Sequence, residues 1–249
     1  MGGFYYDYIF ERVEKKYFLR DNQYNRLIQE IREKISPDEY GKSTINSLYF
    51  DTDDYQMIRQ SLNAVSYKEK LRLRSYGIPD ENSTVFLEIK KKYRGIVYKR
   101  RVAMSLNDIH NYIDFGKKPF NSQIMNEIDY LMRFYKNLKP KCLISYEREA
   151  YYSSENPDVR LTFDSAVRYR KDNLFLEHGS EGKAIIESGC RLMEIKTCGA
   201  MPLWLSSVLD RERIFPSSFS KYGTAYADMT GRNIEDAINN YTKGELEYA

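Results

Sequence analysis

The sequence predicts one α+β domain dominated by antiparallel strands. Three observations lead there. Segments in which apolar and charged residues alternate with period two recur along the chain, as half-buried strands require. Turn compositions separate successive segments, and amphipathic stretches of helical period stand between some of them. No linker divides the 249 residues, so residues 1–249 are expected to form a single domain ending in a polar tail over about 230–249.

Residues 8–19 read as a strand, after which Asp21 is a candidate N-cap for a helix to about Lys34 carrying Tyr24, Leu27, Ile28 and Ile31. Ser36-Pro37-Asp38 is expected to stop it. Residues 44–51 form the second strand, and Asp53-Asp54 are placed to cap a short helix ending near Leu62. Strands over residues 67–76, 84–92 and 96–104 follow, joined by Gly77-Ile78-Pro79-Asp80 and Tyr93-Arg94-Gly95, both of hairpin composition. Ser105 is a candidate N-cap for a helix to about Phe115. A second helix spans residues 121–137 with Ile124, Ile128, Leu131 and Phe134 on one face, and Pro140 closes the region. Residues 143–152 and 159–170 read as a further hairpin and 191–197 as another strand, while residues 171–190 carry no assignment. Helices near 203–210 and 220–229 complete the order.

Composition excludes several classes. With 42% hydrophobic residues, 30% charged and a mean hydropathy of -0.66, no run reaches the roughly 18 to 20 apolar residues that cross a bilayer. The N-terminus lacks a basic region followed by an apolar stretch, and Tyr6 stands where a myristoylation motif wants Ser or Thr. A cytoplasmic protein is expected. Cys142, Cys190 and Cys198 form no Cys-x-x-Cys, and only His110 and His178 supply imidazole, which argues against a disulfide scaffold, a zinc site and a Cys/His nucleophile.

The net charge is only +3, but its distribution is uneven. Residues two apart in a strand share a face. Lys68, Lys70, Arg72 and Arg74 therefore lie on one face and Leu71 and Leu73 on the other; Glu88 and Lys90 oppose Val85, Leu87 and Ile89. Arg12, Glu14 and Lys16 share a face, as do Lys99 and Arg101. Arg160, Thr162 and Asp164 oppose Val159, Leu161 and Phe163, and Glu194 and Lys196 oppose Met193 and Ile195. One such face is ordinarily a solvated surface. As the strands accumulate, bases outweigh acids, and many are arginines suited to bidentate phosphate contacts. If these faces converge inside a closed barrel with the apolar faces outward under the helices, the interior is a polar, basic tunnel whose field attracts a polyanion. So much like charge repels itself, and a bound anion is expected to stabilise the fold.

No Walker loop, dinucleotide fingerprint, His-Glu-x-x-His, kinase catalytic loop or Gly-x-Ser-x-Gly elbow is present. Side chains must then grip the phosphates. Glu14, Glu88 and Glu194 suit one or two hard divalent ions bridging phosphate oxygens. For Glu88 a simple counterion role is at least as good a reading, whereas Glu194 is the favoured metal ligand.

Nine segments in order carry a family resemblance: Glu11-Arg12-Val13-Glu14-Lys15-Lys16-Tyr17, Leu48-Tyr49-Phe50-Asp51-Thr52, Lys70-Leu71-Arg72-Leu73-Arg74-Ser75-Tyr76-Gly77, Phe86-Leu87-Glu88-Ile89-Lys90, Lys99-Arg100-Arg101, Tyr146-Glu147-Arg148-Glu149-Ala150, Val159-Arg160-Leu161-Thr162-Phe163-Asp164, Met193-Glu194-Ile195-Lys196 and Phe219-Ser220-Lys221-Tyr222-Gly223. Over about residues 8–228 the chain resembles the catalytic domain of the vacuolar transporter chaperone (VTC) polyphosphate polymerases, within the triphosphate tunnel metalloenzyme superfamily. The resemblance implies a closed eight-stranded antiparallel tunnel that transfers the γ-phosphoryl group of ATP to inorganic polyphosphate and releases ADP, with Mn²⁺ or Mg²⁺. It makes Lys16, Arg72, Arg74, Lys90, Arg101, Arg148, Arg160 and Lys221 phosphate ligands, with Lys99 and Lys196 in the same lining. Glu194 becomes the metal-binding carboxylate. Glu14, the second metal candidate, matches the glutamate-rich opening of the wider superfamily better than the polymerases. A stand-alone, bacterial-like module is expected, without the helical phosphate-sensing domain and membrane helices of eukaryotic relatives.

Within that lining Arg72, Arg74 and Lys90 are expected to hold a triphosphate, Lys16 and Lys221 to clamp the reacting phosphates, and Glu194 to hold the metal between them. Two other functions compete. A tunnel triphosphatase would use the same lining with water as acceptor, positioned through carboxylates such as Glu14. A non-catalytic module would only bind a polyanion. Nucleic acid is not the expected partner, because the 23 tyrosines show no pattern interleaved with the basic stripes.

Overall fold

The computed structural model describes residues 12–63, 67–93 and 96–232, with Arg12 described by its backbone alone. The expected strand residues 8–11, the turn residues Arg94 and Gly95, and most of the expected polar tail lie outside the described residues.

Strands β1 (Arg12–Arg20), β2 (Ile35–Asp51), β3 (Tyr67–Tyr76), β4 (Thr84–Tyr93), β5 (Ile96–Ser105), β6 (Lys139–Ser153), β7 (Arg160–Arg170), β8 (Lys183–Ala184) and β9 (Cys190–Cys198) form one sheet. Its order is β1-β9-β7-β6-β2-β3-β4-β5, with the two-residue β8 pairing β7 off that path. Every ladder is antiparallel. The helices are α1 (Asp21–Ile31), α2 (Gln56–Leu62), α3 (Leu106–Phe115), α4 (Gln123–Phe134), α5 (Leu203–Arg211) and α6 (Lys221–Met229). The α+β class is as expected.

Local chemistry explains most boundaries. Ser105, Ser122 and Ser220 each accept a backbone N–H at the start of α3, α4 and α6, filling an otherwise unpaired donor. Ser36-Pro37-Asp38 does not end the helix region but lies in β2, where the register with β6 shifts between Pro37 and Lys42, the kind of bulge that admits proline. Pro140 likewise sits inside β6. Asp53 and Asp54 do not cap α2. Buried Asp51 does, accepting the N–H groups of Met57 and Ile58. Asp21 is the first residue of α1, after an Arg20 cap.

The alternating pattern sorts the sheet into two faces. Outward, Leu71, Leu73, Val85, Leu87 and Ile89 pack under α3 and α4, and Tyr17, Leu19, Leu161, Phe163, Met193 and Ile195 pack under α1 and α5. Inward, a third cluster was not anticipated: α2 and α6 fill one end of the concave side, with Tyr222 stacked on Tyr49 at 4.6 Å beside Ile144, Leu192 and Phe219.

The expected closed barrel is corrected. Among the described residues β1 and β5 share no ladder, so the sheet curls without hydrogen-bonded closure. The curl is nevertheless strong, because Glu14 on β1 lies 3.6 Å from Lys90 on β4 although five strands separate them in the order. Both edges are basic, with Lys15 and Lys16 on one and Lys99, Arg100 and Arg101 on the other. A shared ladder would set like charges opposite one another.

Candidate active site

Period-two alternation in neighbouring strands aligns charged residues in rows across the concave face. Arg72, Glu88 and Arg101 form one row, and Lys70, Lys90 and Lys99 the next. On the other flank Lys16, Glu194 and Thr162 align, as do Glu14, Lys196 and Arg160.

Four carboxylates organise these cations. Glu88, fully buried, receives the Arg72 Nε at 2.8 Å and faces the Lys99 Nζ at 2.7 Å. Burial alone would raise its pKa, but Arg72, Arg74 and Lys99 outweigh burial and hold it at about 2. Arg72 also donates to the Tyr49 hydroxyl, while buried Arg74 donates to Ser47 Oγ and the Tyr146 hydroxyl. Glu88 is placed as a counterion to Arg72 and Lys99.

Asp164, also fully buried, takes both arms of a fork from Arg148 at 2.6 and 2.8 Å and the Lys221 Nζ at 2.6 Å. The Tyr146 ring faces both cations. Burial disfavours charge on Lys221, yet Asp164 prevails and raises its pKa. Glu194 lies 2.5 Å from the Lys196 Nζ. Although burial opposes it, Lys196, Lys16 and Arg148 hold this carboxylate well below the usual range. Glu14 reaches Lys16 at 4.0 Å and Lys90 at 3.6 Å.

The remaining cations are less well compensated. Lys16 donates to the carbonyl of Phe219 and Lys70 to Ser220 Oγ, both just before α6. Burial lowers Lys16, Lys70 and Lys90. Lys70, pressed further by Lys16, Lys90, Lys68 and Arg72, falls to about 7, and burial brings Lys99 to about 8.

The structure thus brings Lys16, Arg72, Arg74, Lys90, Lys99, Arg148, Lys196, Lys221, Glu14 and Glu194 onto one concave face. Arg101 and Arg160 stand at its rim: Arg101 is exposed over the Phe86 ring, and Arg160 is exposed and paired with Asp38. Lys70, Asp164 and Tyr146 belong to the same constellation but were not singled out as site residues. Alternation alone places Lys70 and Asp164 on the charged faces; Tyr146 was hidden because an aromatic carries no charge pattern.

Among the described residues no three His, Cys, Asp or Glu side chains cluster as a metal cage. Glu194 does fit a hard divalent ion. It is buried, held ionised and surrounded by cations that themselves attract phosphate, the situation in which one or two carboxylates and substrate oxygens share an ion. Glu14 lies on the same face.

A curled antiparallel sheet with α1, α3, α4 and α5 packed outside, α2 and α6 at one end of its concave side and cations lining the rest defines a triphosphate tunnel type of fold. Two solved structures share it. One is a candidate adenylate cyclase from Bacillus halodurans, 16% identical over 84% of this chain and 93% of that one, with a TM-score of 0.54. Another is a candidate adenylyl cyclase from Hippeastrum with a dominant triphosphatase activity, 14% identical over 89% of this chain and 97% of that one, with a TM-score of 0.50. At such identities the likeness speaks for the fold. The family is set by sequence: residues 11–230 match the VTC domain, and the chain belongs to the VTC domain family.

Proposed function

We propose that this protein is a polyphosphate polymerase that moves the γ-phosphoryl group of ATP onto a growing inorganic polyphosphate chain and releases ADP. The observation that carries the reading is the surplus of half-buried cations that geometry gathers on one concave face in a VTC domain, above all Lys16, Lys70 and Lys90, whose residual mutual repulsion a bound polyanion would relieve.

Arg72, Arg74 and Lys90 hold the triphosphate. Lys16 and Lys221 clamp the phosphates about to react, and Arg148, its fork held by Asp164, adds positive charge beside them. Lys99, Lys196, Arg101 and Arg160 extend the lining toward the rim. A terminal phosphate oxygen of the polymer bonds to the γ-phosphorus as the bond from that phosphorus to the β–γ bridging oxygen breaks, and the electron pair leaves with ADP. The attacking oxygen is already substantially ionised near neutral pH, so no general base is required. Fixed cations supply the alignment and charge neutralisation that this reaction needs. Glu194, with Glu14 as a second candidate, would hold Mn²⁺ or Mg²⁺, which when bound adds further neutralisation of phosphate charge.

One observation favours hydrolysis instead. Glu14 lies between Lys16 and Lys90, where a carboxylate could orient water, and the Hippeastrum relative has triphosphatase activity. Incubation with ATP and Mn²⁺ or Mg²⁺ separates the two. Long, phosphatase-sensitive polymer together with ADP is expected. Orthophosphate as the sole phosphate product would assign the hydrolase, and tight anion binding without metal-dependent turnover would leave only a binding module.

A further inference from the structure

The charged face of β3 does not end at Arg74. Two residues on, Tyr76 occupies the same face, and Phe86 sits opposite Arg74 in the β3–β4 register. Tyr76 meets Phe86 edge to face at 5.7 Å, and Tyr40 from β2 stacks on Tyr76 at 6.3 Å with rings 21° apart. The Arg101 guanidinium covers Phe86 at 4.7 Å. Tyr40 and Tyr76 remain 66% and 47% exposed, although paired aromatic rings usually gain by burial. An exposed aromatic ladder therefore begins where the phosphate-gripping arginines stop.

We propose that Tyr40, Tyr76 and Phe86 form a stacking shelf for the nucleobase of the phosphoryl donor, with Arg101 bridging shelf and triphosphate. The proposal rests on the polymerase reading, since it presumes a nucleoside triphosphate donor. Continuity identifies the occupant: a flat π-surface adjoining Arg72 and Arg74 matches a ligand that carries a planar base at one end and phosphates at the other. Inorganic polyphosphate has no group for it. Stacking accepts any base because each has a π-face, so the shelf contributes affinity with little discrimination between ATP and GTP.

The test compares two ligands that differ in the nucleoside, ATP and inorganic tripolyphosphate, on the full chain. Replacing Tyr40 and Tyr76 together with Ala should weaken ATP binding about tenfold and leave tripolyphosphate affinity within twofold. Tyr76→Phe should keep the ATP affinity, and 2-aminopurine riboside triphosphate should lose its binding-induced quenching in the double variant alone. Equal effects on ATP and tripolyphosphate, or none on either, would overturn the shelf while polymer synthesis by the wild type kept the polymerase reading intact. A wild type that binds neither ligand would bring down both.

Discussion

Glu194 sits among Lys16, Lys196 and Arg148, and its replacement separates two effects that simple loss of function would merge. Glu194→Gln removes a negative charge from a cationic face, so tripolyphosphate should bind as tightly as before or more tightly. Turnover should nevertheless fall about 10²-fold or more, because the hard oxygen donor is gone. Separate measurement of kcat and of tripolyphosphate affinity checks this; an unchanged kcat would discard the metal role. The lysines make a pH argument. Lys70 and Lys99 sit at about 7 and about 8 mainly through burial, whereas unfolded lysine titrates near ~10.4. Between those values the unfolded chain binds more protons, so the anion-free protein should gain stability as pH rises through the window from about 7 to about 10. Glu88 and Glu194, held low, stay ionised throughout. A polyanion favours the protonated amines, so tripolyphosphate should stabilise most near the acid end of the window. Melting curves with and without it, taken from about pH 6 to about pH 9, should converge as pH rises; parallel curves would contradict the assignment. Sequence could place these lysines on one face because alternation dictates side. It could not show which would be stripped of counterions, since that depends on which carboxylate reaches across strands, as Asp164 reaches Arg148 and Lys221.

Elements were legible where their signal is local. The serine cap of α3 and the hairpin composition around Gly77 act within a few residues, and they appear where expected. Misreadings arose where a distant partner decides. Pro37 is tolerated in β2 because the ladder to β6 shifts there, and α2 is capped by Asp51 from the end of a strand, not by the adjacent Asp53 or Asp54. The inward position of α6 had no sequence signal, because its buried residues Tyr222, Ala225 and Tyr226 serve equally for an outer helix. Asp51 ties α2 to α6: one oxygen accepts the Ile58 N–H and the Tyr222 hydroxyl. Tyr222→Phe leaves that buried oxygen short of a donor, at about 1–2 kcal/mol. For a chain of this size the melting temperature should drop by about 3–6 °C. Because α6 carries Lys221, kcat should fall as well. Calorimetry and initial rates on the variant check both, and a shift in neither would show that α6 is not anchored through Asp51.

On the scale of the whole molecule, period-two patterns specify which way each strand faces but not whether the two edges of a sheet meet, which is why closure was misjudged. Among the described residues the two edge strands share no ladder, and Glu14 on β1 reaches Lys90 on β4 across the concave face. In the anion-free protein this carboxylate offsets Lys16 on its own strand and Lys90 across the concave face. A polyphosphate chain lying along the concave face would offset the same two lysines itself. Glu14→Gln should therefore lower the melting temperature without ligand and lose most of that deficit in saturating tripolyphosphate. A ligand at about 100 times its Kd stabilises the folded state by about 2.7 kcal/mol, or about 5–10 °C here. Added salt should shrink the gain by screening the partly exposed cations. Scanning calorimetry of wild type and Glu14→Gln, each with and without tripolyphosphate at low and high salt, reads all three terms at once. If the variant's deficit survives saturating ligand, Glu14 supports the fold by some route other than charge across the concave face, and the polyanion is not what completes the curled sheet.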